Sequence, residues 1–145
     1  MKKFILSLFV TMLSIGAFAT DKIVYSDASL PANAKEALAN NFKAKVNFVK
    51  IESNVLGRVE EYEVVLRNGT EVEFDCLGNL KSVDAGANGV PASLILTPIK
   101  EYIKKNYGKQ KIVELDIYKK YYKLKLADGR ELKFDRTGRF LSEDR

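Results

Sequence analysis

One stretch of this chain occurs twice. Tyr62-Glu-Val-Val-Leu66-Arg-Asn-Gly69-Thr-Glu71-Val-Glu-Phe74-Asp75-Cys-Leu-Gly78 returns sixty residues later as Tyr122-Lys-Leu-Lys-Leu126-Ala-Asp-Gly129-Arg-Glu131-Leu-Lys-Phe134-Asp135-Arg-Thr-Gly138. Ser82 and Asp84 recur as Ser142 and Asp144. Upstream, Lys35-Glu36 falls on Lys100-Glu101, Asn41 on Asn106 and Phe42 on Tyr107. Repetition at this period fixes architecture before any single residue does, because both copies must bury the same face. It also argues against one catalytic centre.

Each copy reads as a helix followed by a four-stranded antiparallel meander, an α+β class with two tandem units. In the first, Asp27 or Ser29 is expected to cap a helix with Pro31 in its first turn. Ala34, Ala37, Leu38 and Phe42 form its apolar stripe. In the second, Thr97-Pro98 starts the helix, Ile99, Tyr102, Ile103 and Tyr107 make the stripe, and Gly108 ends it. Residues 46–51 and 111–117 are rich in valine, isoleucine and aromatics and read as first strands. Residues 54–60, with Gly57, read as an insertion of about six residues in the first unit. Asn68-Gly69 and Asp128-Gly129 predict hairpins whose two central residues take positive φ. Residues 85–89 are a short linker, and residues 90–96 an apolar helical turn packing the junction.

The ends and the composition restrict the function. Lys2 and Lys3, an apolar run over residues 4–18 and Ala17-Phe-Ala19 form an export signal, too short for a membrane span. The divisions expected are a signal peptide at 1–19, unit one at 20–84, the linker and turn at 85–97, and unit two at 98–145. A periplasmic or secreted destination follows, with no membrane span left after cleavage. The chain has no histidine, which removes Ser-His and Cys-His nucleophile systems and the commonest zinc ligand. Cys76 is the single cysteine, so no internal disulfide can form; it reads as a tolerated turn residue.

Alternation sends Tyr62, Val64, Leu66, Val72 and Phe74 toward the helices, with Tyr122, Leu124, Leu126, Leu132 and Phe134 as counterparts. The opposite face then carries Glu61, Glu63, Val65, Glu71 and Glu73 in one unit. In the other it carries Tyr121, Lys123, Lys125, Glu131 and Lys133. Residues 31–84 hold seven basic and nine acidic residues, and residues 91–144 hold thirteen and eight. Side by side, the two faces would make a plate with an acidic end and a basic end, suited to orienting a charged partner. Exposed strands also carry such charges simply for solubility and to discourage edge pairing.

The doubled pattern resembles the PepSY-like, beta-lactamase-inhibitor-like domains of exported Bacteroidetes proteins. Those domains carry a helix ending in Asn-aromatic, a strand, then Tyr-x-Val-x-Leu-x-Asn-Gly-x-Glu-x-x-Phe-Asp-x-x-Gly. Val90-Pro-Ala-Ser-Leu-Ile-Leu-Thr-Pro98 is similar to their inter-repeat stretch. The resemblance implies two helix-plus-sheet units and an extracytoplasmic binding or inhibitory role. It carries no catalytic signature.

Other chemistries fit the residues less well. Asp75 and Asp135 each give one carboxylate where a calcium site needs six to eight oxygens, so they read as turn-setting residues. The clustered glutamates lie on one flat face, whereas glycoside hydrolysis needs two carboxyls across a cleft. Tyr118, Tyr121 and Tyr122 among lysines suit a protein interface better than nucleic acid in an exported chain. The expectation is a non-enzymatic module without cofactor or metal, binding an extracytoplasmic protein or peptide. Its contact residues would be Tyr121, Lys123, Lys125, Lys133, Glu61, Glu63 and Glu73. The alternative is a carrier of a small apolar or anionic ligand, in a groove between the units walled by residues 54–60 and 90–96.

Overall fold

The computed structural model describes residues 20–145; the export signal expected at 1–19 lies outside the described residues. Among the described residues nine strands form one antiparallel sheet, in sequence order from β1 to β9. They are β1 (Thr20–Val24), β2 (Val46–Ser53), β3 (Val59–Leu66), β4 (Glu71–Asp75), β5 (Leu80–Asp84), β6 (Ile112–Ile117), β7 (Tyr121–Leu126), β8 (Glu131–Asp135) and β9 (Phe140–Asp144). Helix α1 (Ala32–Asn41) precedes β2, and α2 (Thr97–Tyr107) precedes β6. The sheet is continuous across the middle of the chain, where Val83 pairs with Leu115 and both are buried. Strand β1 was not expected. Four of its five residues are exposed, so it shows no alternation to read, yet it pairs along β2 as β5 pairs along β6.

The expected inward face is the observed one. Val64, Leu66, Val72, Phe74, Leu124, Leu126, Leu132 and Phe134 are fully buried against Ala34 and Leu38 of α1 and Ile99 and Ile103 of α2. Leu30 and Ile95, each just before a helix, are buried in the same core. Neither Asp27 nor Ser29 caps α1; Pro31 holds the cap position and no side chain bonds there. Nor does a side chain cap α2, where Leu96 holds that position. Proline at these starts has no N–H to satisfy and presets φ near the helical value, which favours initiation although no side chain caps the first turn.

The hairpins differ from the expected type. Among the described residues none other than glycine has positive φ, so Asn68 and Asp128 do not. Gly69 N–H donates to the Leu66 carbonyl and Leu66 N–H to the Thr70 carbonyl, a type I turn closed by a glycine bulge. The same bonds recur at Asn54–Arg58, Asp75–Asn79, Leu126–Arg130 and Asp135–Arg139. Residues 54–60 are therefore a fifth such hairpin rather than a wall. They join strands of eight residues, where β6 and β7 have six. The register puts this hairpin at one end of the strands, beside Asp75. Residues 85–96 lie at the other end, where Asn88 Nδ2 donates to the Asn68 carbonyl. The groove expected between these segments does not form. The apolar turn at Ala92–Leu94 does pack the junction, with the Ser93 hydroxyl donating to Asn41 Oδ1 at 2.7 Å.

Candidate functional site

Alternate residues of a strand face opposite sides, so register lines the outward side chains into rows across the sheet. One row runs Lys50, Glu63, Glu73, Ser82, Asp116, Lys123, Lys133, Ser142 from β2 to β9. The next runs Phe48, Val65, Glu71, Asp84, Glu114, Lys125, Glu131, Asp144. A third holds Glu52, Glu61 and Asp75 in the first half, and Tyr121 with Asp135 in the second. All seven residues singled out from sequence thus share this face.

Like charges stand directly opposite one another on it. Glu63 faces Glu73, Glu61 faces both Glu52 and Asp75, and Asp84 faces both Glu71 and Glu114. Like charges directly opposite one another on a sheet are destabilising. Burial, then repulsion from Glu63, Asp84 and Glu73, pushes the Glu71 carboxyl up to about 7. Burial also raises Glu63; Lys50, 3.9 Å away, opposes this, and Glu73 adds to it. Lys50 is shared with Asp21 at 3.4 Å and Glu52 at 2.8 Å. Lys81 bonds Glu61, and the Ser82 hydroxyl donates to Glu73 at 2.8 Å. Among the described residues no cation lies within ion-pair distance of Glu71.

Two lysines of the second half, Lys123 and Lys125, are satisfied internally. Lys123 lies 3.6 Å from Asp116 and 3.7 Å from Glu131. Lys125 lies 3.5 Å from Glu114, and their side chains are only 12% and 11% exposed. The expected division into an acidic and a basic end is corrected here: β6 belongs to the basic half by sequence, yet Glu114 and Asp116 carry the acidic zone past the midline. The surplus charge on the face is negative, centred on β3 to β5. Alternation within 111–117 held the signal for Glu114 and Asp116, which reading only the aligned segments passed over.

Tyr121 is half-buried, its ring stacked on Tyr118 at 4.6 Å with the Lys133 ammonium 5.7 Å from its centre. Asp75 accepts backbone bonds from Leu77 and Asn79, and Asp135 from Thr137 and Arg139, so both set their turns. Cys76 is exposed in the first of those turns. A cleft of about 190 Å³ between α2 and residues 90–95 is lined by Val90, Ile95, Ile103 and Lys104. That is below the size of ordinary ligand pockets.

A family model described as "Putative beta-lactamase-inhibitor-like, PepSY-like" matches residues 60–142. A Bacteroides vulgatus structure, "a putative periplasmic protein of unknown function", is 32% identical with a TM-score of 0.79, covering 87% of this chain and 100% of that one. A Bacteroides thetaiotaomicron structure, "a putative calcium-regulated periplasmic protein", is 34% identical with a TM-score of 0.79, covering 86% and 97%. A second Bacteroides vulgatus periplasmic protein is 29% identical with a TM-score of 0.76, covering 86% and 97%. Comparison with curated proteins finds no match. No helix among the described residues is long and apolar enough to cross a membrane. Calcium needs six to eight oxygens, and no group of three or more acidic, histidine or cysteine side chains among the described residues is placed to hold a metal ion.

Proposed function

This chain belongs to the PepSY-like, beta-lactamase-inhibitor-like family of periplasmic proteins, and from that premise we propose that it is a non-enzymatic binding module. The outer face of its sheet docks an extracytoplasmic protein or peptide; inhibition of an exported enzyme is one form this takes. In this reading the chain is two tandem units of a helix on four strands, and the duplication supplies a face wide enough for a protein partner.

The observation that carries the reading is the run of like-charged cross-strand pairs over β3 to β6. A surface chosen only for solubility would alternate its signs. This one holds Glu63, Glu71 and Glu73 together at a cost in stability, as binding surfaces commonly do. A basic segment laid across the strands relieves that repulsion. Glu61, Glu63 and Glu73 supply the charge, while Tyr121 and Lys133 border the acidic zone. Lys123 and Lys125 act as its frame, because both are engaged by acids of their own chain.

Capture from cell-envelope extract tests the reading. Glu63→Lys with Glu73→Lys is expected to abolish capture, and wild-type capture to weaken as salt rises. Undiminished capture by the double variant removes it. Reversal at Lys125 is a poor test, since it sets a second carboxylate against the buried Glu114 and destabilises the fold.

A further inference from the structure

At the far end of the second half, the short turn between β6 and β7 is closed by Tyr118 N–H donating to the Tyr121 carbonyl at 2.9 Å. Lys119 and Lys120 form its exposed tip. Tyr118 is 43% exposed. One face of its ring is covered by Tyr121, at 4.6 Å and 23° between planes. Arg136 donates to the Tyr118 carbonyl at 3.2 Å and lies 4.4 Å from the centre of the Tyr122 ring, while Lys133 stands over Tyr121. The acids nearest this turn are engaged: Asp116 and Glu131 by Lys123, and Asp135 by Arg139. The result is an exposed ring stacked on a second one, in a turn that carries Lys119 and Lys120, with Lys133 beside the Tyr121 ring and Arg136 bound to the turn's backbone.

We infer that this turn is a binding site for an acidic polysaccharide, with a sugar ring stacked on Tyr118 and carboxylates held by Lys119, Lys120 and Arg136. Three features favour that ligand over other polyanions. An exposed aromatic ring backed on one side by a second ring leaves a flat, electron-rich face that the C–H face of a pyranose covers. β6 and β7 are interior strands, so no free edge here can take an extended acidic peptide. The tip is two lysines with no apolar residue beyond them, so nothing inserts into a bilayer. This site is separate from the acidic zone and stands or falls independently of it.

Binding of the purified protein to polygalacturonate, with dextran and poly-L-glutamate as controls, provides the test. Polygalacturonate is expected to bind in a salt-sensitive manner. Dextran is expected not to bind, and poly-L-glutamate to bind about tenfold more weakly. Tyr118→Ala should lower polygalacturonate affinity about tenfold, by loss of stacking. Lys119→Glu with Lys120→Glu should abolish it, and Glu36→Gln on α1 should leave it unchanged. All these positions are exposed or half-buried on the surface, and thermal unfolding checks that each variant is folded. Absence of polygalacturonate binding, equal binding of poly-L-glutamate, or full affinity in Tyr118→Ala would each overturn the inference.

Discussion

Glu71 shows how a single carboxylate reports on its face. Its pKa is raised to about 7, first by burial and then by Glu63, Asp84 and Glu73. A carboxyl with a folded pKa above its unfolded value binds its proton more tightly when folded. Stability therefore falls as pH rises from about 4.5 to about 7, and is level beyond. Thermal midpoints measured from pH 5 to pH 8 should decline, and Glu71→Gln should flatten much of that decline. After discounting for solvent screening, the gain at pH 8 is about 1 kcal/mol. Asp75 works the other way in a lower window. Burial alone would raise it, but bonds from Asn79 and Leu77 prevail and lower it, so its contribution is present above the ordinary carboxylate value and is lost as pH falls below that value through the lowered folded one. Glycines separate conformational from steric cost. Gly129 has φ +93° with open space around it, so Gly129→Ala should cost about 1–2 kcal/mol. Gly78 has φ +83°, and a Cβ there would collide with Asn33 Oδ1 and meet Pro31 Cβ at 2.7 Å. Gly78→Ala should cost clearly more, about 3 kcal/mol or above in urea unfolding.

At the level of elements, the two halves fill equivalent space with different side chains. Tyr102 of α2 stacks on Phe140 of β9 at 4.7 Å and meets the edge of Phe134 at 5.4 Å. The aligned positions in the first half are Ala37 and Leu80, smaller residues beside Phe74. A double-mutant cycle on Tyr102→Ala and Phe140→Ala should give a coupling of about 1 kcal/mol. Helices, inward faces and hairpin positions were legible in the sequence because each rests on a period or a glycine. What escaped was set by pairing. β1 has no alternation of its own and exists because β2 offers it an edge. The turn type escaped because Asn-Gly suits two geometries, and the neighbouring strands select between them. The seven site residues were placed correctly on one face, but sequence could not show which charges meet. Lys123 and Lys125 looked available, and only the register with β6 reveals Asp116 and Glu114 beside them.

Across the whole molecule, the sheet runs unbroken through buried Val83 and Leu115, which predicts that the two halves unfold as one cooperative unit. Five of the seven tyrosines lie in the second half, so tyrosine fluorescence weights that half while far-UV dichroism samples both. Their unfolding transitions should coincide; separate midpoints would mean that the halves fold apart. The same continuity spreads the acidic zone over β3 to β6, across the boundary that the repeat would draw. Carboxyl footprinting by mass spectrometry, with and without captured envelope partner, reads that zone most directly. Protection is expected at Glu63, Glu71 and Glu73, with labelling of Glu36 and Glu101 on the helices unchanged. Protection confined to the helices, with the sheet glutamates labelled as in the free protein, would place docking on the other side and end the case for this face.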